Sequence, residues 1–542
     1  MNKAILVGLD GASFNIIDPW IEDGSLPTFA RLKKDGVHGV LKSTIPSSTV
    51  PGWAAMLTGK SPGKLGYCDL SQRIPGSYRI GPTDFRWDAM NPVWHIASDQ
   101  GRRVCVINVP TTAVPTRSLN GIFIAGRGPL ATDRQLAVPD RIQKRLEEIG
   151  YRDSVALPPG LVGPELMEHL TAIATQQCQL ALELLVEENW DFYAFCLFVT
   201  DLANHICLGE EIPGYQYPER ARQDLLRIYQ IADRYLGRLL EAMPEGCNVT
   251  IASDHGQTTN RWIIDLNQWL LDQGLLRTKQ ARNVRWTRQR LLRILRDTGL
   301  LPWYKRLTSG KLMRRADQAV RGRVPLENIG SHVTDWSATQ AYSINKQGIF
   351  VNLEGREPRG MVSAGEYEGV RQRLIDGLND LRDPETGEKI VQEVWRREEV
   401  YSGPYLEKMP DIAIEWRWGY ENRITEGQPT GTLFKRPDRR YTGGVHTRDG
   451  LFMAYGPDIQ PNGDLRVVQI LDVAPTLTHL LGLLVPDDID GQVSLRTLRP
   501  LPRLQEVRRM RPTQPVVSEE RRYSQREEAA IKKRLKDLGY MD

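Results

Sequence analysis

Acidic and imidazole side chains gather at four points of this 542-residue chain. Asp10 stands in Gly8-Leu9-Asp10-Gly11, and Asp201 and His205 in Asp201-Leu202-Ala203-Asn204-His205. Asp254 and His255 precede Gly256, and His446 lies in Gly444-Val445-His446-Thr447. Singly, each has an ordinary explanation: an aspartate caps a helix or shapes a turn, and a histidine satisfies a buried hydrogen bond. Together they use three of only eight histidines and form the mixed oxygen and nitrogen ligand set that Zn²⁺ or Mn²⁺ accepts. Asp201 and His205 are four apart, so one helical turn puts both on one face. His38, His95, His169, His332 and His479 lack an acidic neighbour at ligand spacing and read as structural groups.

A nucleophile is available in Ser43–Gly59. Its Ser/Thr cluster, followed by Pro51 and a helix-forming run, marks a helix N-terminus. N-capping alone accounts for Ser47, Ser48 or Thr49. A hydroxyl there also sits at the positive end of the helix dipole, where an alkoxide or phosphate is stabilised. A nearby metal would activate it further. Gly59-Lys60-Ser61 imitates the end of a phosphate-binding P-loop, but the glycine required five residues earlier is Ala54, and the run follows a helix. No GxGxxG fingerprint occurs, which argues against a dinucleotide cofactor.

Apolar runs at Ala4–Leu9, Arg103–Val109, Gly121–Ala125, Phe192–Val199 and Val249–Ala252 read as strands covered on both faces. Helical patterns at Glu165–Glu188 and Arg220–Ala242 lie between them. The alternation predicts an α/β fold: a doubly wound, mostly parallel sheet sandwiched by helices. Such sheets carry their chemistry in loops at the carboxyl ends of strands, where Asp10, Asp201 and Asp254 fall.

Composition bounds the rest. The 40% hydrophobic and 25% charged fractions are those of a globular protein, and the net charge of +4 excludes a surface wholly devoted to nucleic acid. The six cysteines form no CxxC pair. No apolar run is long enough to span a membrane, and residues 1–10 lack a signal-peptide cleavage pattern, so the expectation is a cytoplasmic protein. Charge is unevenly spread: Arg277–Arg323 carries 15 basic residues against Asp297 and Asp317. That segment reads as a solvated face, a cap attracting anionic substrate, or a surface for anionic membrane or nucleic acid. The expected organisation is a catalytic core of residues 1–260 and 328–500, a basic helical insertion at 261–327, and a charged tail at 501–542 ending in a helix.

The order Asp10, Thr49 in Thr-Val-Pro-Gly-Trp, Asp201-x-x-x-His205, Asp254-His255-Gly256, His446 resembles the alkaline phosphatase superfamily, and within it the type I phosphodiesterase/nucleotide pyrophosphatase branch. The resemblance also runs through Val333–Gly360 and Asp472–Gly491. It implies two divalent metal ions, zinc or manganese, one held by Asp10, Thr49, Asp254 and His255, the other by Asp201, His205 and His446. It implies Thr49 as the covalent nucleophile, through alignment with the family's Thr-x-Pro, in a phosphohydrolase for phosphodiesters, phosphoanhydrides or phosphate esters of small molecules or nucleotides. A phosphomutase sharing the metal set, and a non-catalytic polyanion-binding protein, are the alternatives. Many relatives place Asn directly after Thr-x-Pro; here the residue is Gly52, and Asn204 or Arg127 are candidates to bind substrate in its stead. A C/S-x-P-x-R motif is absent, which argues against a sulfatase.

Overall fold

The computed structural model describes all residues except Met1, 79, 84, 127–134, 153–160, 210–217, 280–333, 345, 347, 424–428, 438–442 and 512–542. Most of the basic segment, Arg127 and the C-terminal helical pattern therefore lie outside the described residues.

The predicted alternation folds into a nine-stranded sheet. Its strands are β1 (Lys3–Leu9), β2 (Val37–Lys42), β3 (Val104–Pro110), β4 (Gly121–Gly126), β5 (Ala137–Val138), β6 (Phe192–Leu197), β7 (Cys247–Ala252), β8 (Asp449–Tyr455) and β9 (Gly463–Gln469), in the order β9-β2-β8-β7-β1-β6-β3-β4-β5. Pairing is parallel from β7 through β1, β6 and β3 to β4, and between β2 and β9. It is antiparallel where β8 joins β2 and β7, and where β5 joins β4.

Side-chain alternation explains the layering. In β1, Ile5, Val7 and Leu9 enter one apolar cluster while Ala4 and Leu6 enter another. In β6, Tyr193, Phe195 and Leu197 divide from Phe192, Ala194 and Cys196 in the same way. A strand buried on both faces needs no polar residues, hence the continuous apolar runs. Helices α2 (Gly163–Glu187) and α4 (Pro218–Ala242) cover the first face. Helix α1 (Thr49–Thr58) and helix α5 (Val473–Leu480) contribute to the second.

One boundary differs from expectation. The apolar run Phe192–Val199 leaves the sheet at Leu197, and Val199 opens helix α3 (Val199–Cys207). The Thr200 hydroxyl lies 2.8 Å from Leu197 O and 2.7 Å from Asp10 O, so its one proton is shared between carbonyls at the ends of β6 and β1.

A smaller four-stranded sheet joins Ala341–Ser343, Ile349–Val351, Ile412–Trp416 and Val391–Arg396. With the helix Tyr367–Asn379 it encloses a separate apolar cluster that includes Trp269, Leu374 and Ile412. Among the described residues no helix is long and apolar enough to cross a membrane. All six cysteines are buried, with no disulfide among the described residues.

Candidate active site

The carboxyl ends of β1, β6 and β7 converge, and each delivers an aspartate. Asp10 directly follows β1, Asp201 sits in the first turn of α3, and Asp254 lies two residues beyond β7. All three are fully buried, as are Asn204 and His255, and Thr49, His205 and His446 are nearly so. His446 arrives by a different route. The short strand Gly444–Thr447 pairs antiparallel with Gly256–Thr259, and this ladder sets His446 directly opposite Gln257.

Helix α1 brings the hydroxyl. All ten of its residues are buried, so it is enclosed around its whole circumference. Ser48 is its N-cap residue and Thr49 its first helical residue, beside the unpaired N–H groups of the first turn. The neighbouring hydroxyls separate by contact. Ser48 donates to Asp69 Oδ1 at 3.3 Å, whereas Thr49 Oγ1 lies 3.3 Å from His255 Nε2. Ser47 contributes its carbonyl, which accepts from His446 Nδ1 at 3.1 Å.

Two groups of potential ligands emerge: Asp10, Asp254 and His255, and Asp201, His255 and His446, the ligand atoms of each lying within 4.8 Å of one another. His205 belongs beside the second. Its Nε2 is 2.9 Å from His446 Nε2 and 3.5 Å from Asp201 Oδ1. His255 Nε2 lies 3.2 Å from Asp254 Oδ2 and 3.7 Å from Asp10 Oδ1, so it touches both groups.

The donor set fits divalent cations. His205 Nδ1 meets Gly444 O at 2.9 Å, His446 Nδ1 meets Ser47 O, and His255 Nδ1 meets Gly256 O at 3.2 Å. A carbonyl can only accept, so each Nδ1 carries the ring proton and each Nε2 presents a lone pair inward. The facing Nε2 atoms of His205 and His446 thus have no proton to share. Asp10 Oδ1 and Asp254 Oδ2 are buried with no hydrogen-bond donor. Inward lone pairs and undonated carboxylate oxygens in one buried space are what a cation compensates.

The electrostatics agree. Burial, with the charges of Asp254 and Asp201, pushes the Asp10 carboxyl well above the ordinary aspartate range. Burial and Asp201 do the same to Asp254. Burial also lowers His205 and drives His255 and His446 well below the usual histidine value, keeping these imidazoles neutral.

Two supporting residues escaped the sequence reading. Trp53 donates its indole N–H to Asp10 Oδ2 at 2.8 Å, and Gln257 donates its amide to Asp201 Oδ1. Trp53 is one helical turn beyond Thr49, which is the signal that could have identified it. Of the two substrate-binding candidates, Asn204 is committed internally: its amide donates to Gly11 O at 3.0 Å and to the Tyr229 hydroxyl at 3.1 Å. Arg127 lies outside the described residues. Gly52 is explained by contact, since a Cβ there would lie 2.9 Å from Asp254 O. Of the remaining histidines, His95 meets an acidic partner the spacing did not suggest, Asp88 at 2.9 Å, and His479 meets Leu504 O at 2.9 Å. Gly59 ends α1 in the left-handed conformation and Lys60 pairs with Asp488, so the P-loop imitation is a helix cap.

Comparison with solved structures places this architecture among known ones. Phosphonoacetate hydrolase from Sinorhizobium meliloti 1021, solved with phosphonoformate, aligns at 15% identity and TM-score 0.50, covering 89% of this chain and 95% of its own. Human ectonucleotide pyrophosphatase/phosphodiesterase 5 aligns at 15% identity and TM-score 0.46, with coverages of 91% and 98%. Its murine counterpart aligns at 13% identity and TM-score 0.46, with coverages of 89% and 96%. Comparison with curated proteins finds no match. A profile of the type I phosphodiesterase / nucleotide pyrophosphatase family matches residues 4–447. Since that span runs from the strand before Asp10 to the residue after His446, the whole candidate site lies inside the match, and the chain belongs to this family of phosphate ester hydrolases.

Proposed function

We propose that the protein hydrolyses phosphodiester or phosphoanhydride bonds of small molecules or nucleotides through a phosphothreonine at Thr49. The observation that carries this reading is the position of the Thr49 hydroxyl, 3.3 Å from His255 Nε2 at the buried N-terminus of α1. Asp10, Thr49, Asp254 and His255 would hold one divalent ion, and Asp201, His205 and His446 a second, zinc or manganese. When bound, such ions supply Lewis acidity that lowers the pKa of a coordinated hydroxyl and offsets charge on attacking and leaving oxygens.

The protein's own groups account for the remaining requirements. Thr49 gives its hydroxyl proton to solvent water, its Oγ1 forms the new bond to phosphorus as the bond to the leaving oxygen breaks, and the leaving oxygen takes a proton from solvent. The dipole of α1 favours anionic charge at that point. Trp53 and Gln257 orient Asp10 and Asp201 by hydrogen bonds. Water then cleaves the phosphothreonine and restores the hydroxyl.

The test is Thr49→Ala with bis-p-nitrophenyl phosphate as substrate and Zn²⁺ or Mn²⁺ supplied. Activity should fall by roughly 10³-fold or more, with thermal stability and metal content largely retained. Full activity in this variant would remove Thr49 from the mechanism. Return of the phosphoryl group to substrate instead of release as phosphate would identify a mutase.

A further inference from the structure

Helix α3 carries two neighbouring pairs of polar side chains, each pair spaced by one helical turn. Asp201 and His205 belong to the second ligand group. Thr200 and Asn204 turn instead to the loop that follows β1. Thr200 Oγ1 lies 2.7 Å from Asp10 O, and Asn204 donates its amide to Gly11 O at 3.0 Å, so one helix holds two consecutive carbonyls. Against the Asn204 amide stands Tyr229 of α4, its hydroxyl 3.1 Å from Nδ2 and 3.2 Å from Oδ1. Asn204 and Tyr229 are both fully buried.

Gly11 is where this grip meets the first ligand group. Its N–H donates to Asp254 Oδ1 at 3.2 Å, while Asp254 Oδ2 has no donor. Its φ of +67° suits glycine, and a Cβ there would lie 3.1 Å from Asp201 Oδ1 and 3.2 Å from Gln257 Nε2. One residue thus follows Asp10 in the chain, donates to Asp254 and abuts Asp201. Its carbonyl is the point by which α3 fixes it. Without the Asn204 donor that carbonyl loses a buried hydrogen bond, and Gly11 loses the restraint that keeps its N–H on Asp254.

We propose that Asn204, steadied by Tyr229, is a positioning residue for the metal ions. It acts through Gly11 on Asp254, and so tunes ion binding at the Asp10 group from the helix that carries the Asp201 group. The inference rests on the two-ion reading and assigns the relative placement of the two groups to a side chain outside both ligand sets.

Calorimetric titration of the full chain with Zn²⁺, and separately with Mn²⁺, tests this. Wild-type protein should bind two ions. Asn204→Leu nearly keeps the volume and removes the donor; one ion should bind about 10–100-fold more weakly, the scale of a lost outer hydrogen bond to a ligand. The other should stay within about threefold of wild type. Tyr229→Phe keeps the packing and releases the amide, and should weaken the same ion by a smaller factor, which keeps the test decisive if Asn204→Leu folds poorly. Asp254→Asn should retain the ion of the Asp201 group, and adding Asn204→Leu should then change that affinity by less than about threefold, because the path through Gly11 is already cut. Wild-type affinities for both ions in Asn204→Leu and Tyr229→Phe would overturn the proposal, as would an undiminished loss in the Asp254→Asn background. An Asp254→Asn protein that takes up no ion would overturn the division into two groups on which the proposal stands. Wild-type protein that binds neither Zn²⁺ nor Mn²⁺ would overturn the two-ion reading itself, and this inference with it.

Discussion

Trp53 reaches Asp10 over the face of Gly8, its indole nitrogen 2.8 Å from Asp10 Oδ2. A Cβ on Gly8 would come within 2.2 Å of the Trp53 ring, so the approach requires glycine. The contact is wholly buried and gives Asp10 a donor for one oxygen while leaving Oδ1 undonated. Trp53→Phe keeps most of the packing and removes that donor. It should cost about 1–3 kcal/mol in stability, because a buried carboxylate oxygen loses its partner. Metal affinity should fall about 10–100-fold, as it does when an outer hydrogen bond to a ligand is lost. Thermal melting and calorimetric metal titration read the two effects separately; unchanged metal affinity would show that the indole only packs.

Metal binding should stabilise the protein in a pH-dependent way. Burial and neighbouring carboxylates raise Asp10 and Asp254 in the folded chain, so in metal-free protein the folded state holds protons that the unfolded state has released. Stability from these groups is therefore present below the ordinary aspartate value of 3.8 and is lost as pH rises through the raised folded values. The lowered histidines act oppositely: their contribution is complete above 6.5 and is lost as pH falls below it. A cation takes the place of the carboxylate protons and competes with any on the imidazoles. The stabilisation on adding Zn²⁺ or Mn²⁺, read as a rise in melting temperature, should thus grow from pH 5 to pH 8, reaching about 2.7 kcal/mol at a hundredfold excess over Kd. A metal-induced rise that is flat or shrinks with pH would contradict these ligands.

Gly52 marks where α1 presses against the metal-side loop. A Cβ there would meet Asp254 O at 2.9 Å and Asp254 Cβ at 3.0 Å. Gly52→Ala should therefore cost about 1–3 kcal/mol through overpacking and displace Asp254. Metal content and activity should fall together, and wild-type metal content would show that the loop absorbs the methyl group. A larger side chain such as asparagine has still less room in this arrangement.

Much of the scaffold was legible because its signals are local. Continuous apolar runs mark β1, β3, β4, β6 and β7, since a strand covered on both faces has no polar side to display. Asp10, Asp201 and Asp254 could be placed at strand ends by that reading alone, and Asp201 with His205 by helical spacing. What escaped depends on contacts between distant elements. The pairing of Gln257 with His446 is a cross-strand register, and the Lys346–Glu421 pair joins a loop of the smaller sheet to the separate strand Tyr420–Asn422. Neither leaves a periodic trace. Asn204 shows the converse: it adjoins His205 in sequence, yet its amide is spent on Gly11 and Tyr229.

The ladder between Gly256–Thr259 and Gly444–Thr447 has one more consequence. Asn260 N donates to Gly443 O at 2.8 Å, so the long excursion between them leaves and returns through a single doorway. The reactive groups outside that excursion are anchored on the large sheet, and His446 is fastened at the threshold. The segment beyond the doorway also folds back on the core, where Tyr401 donates to Ile45 O at 2.7 Å and Glu415 meets Arg448 at 2.9 Å. Lys346 and Glu421 stand beyond the same doorway. The reacting centre is therefore built jointly by the large sheet and by a segment that returns to it at His446.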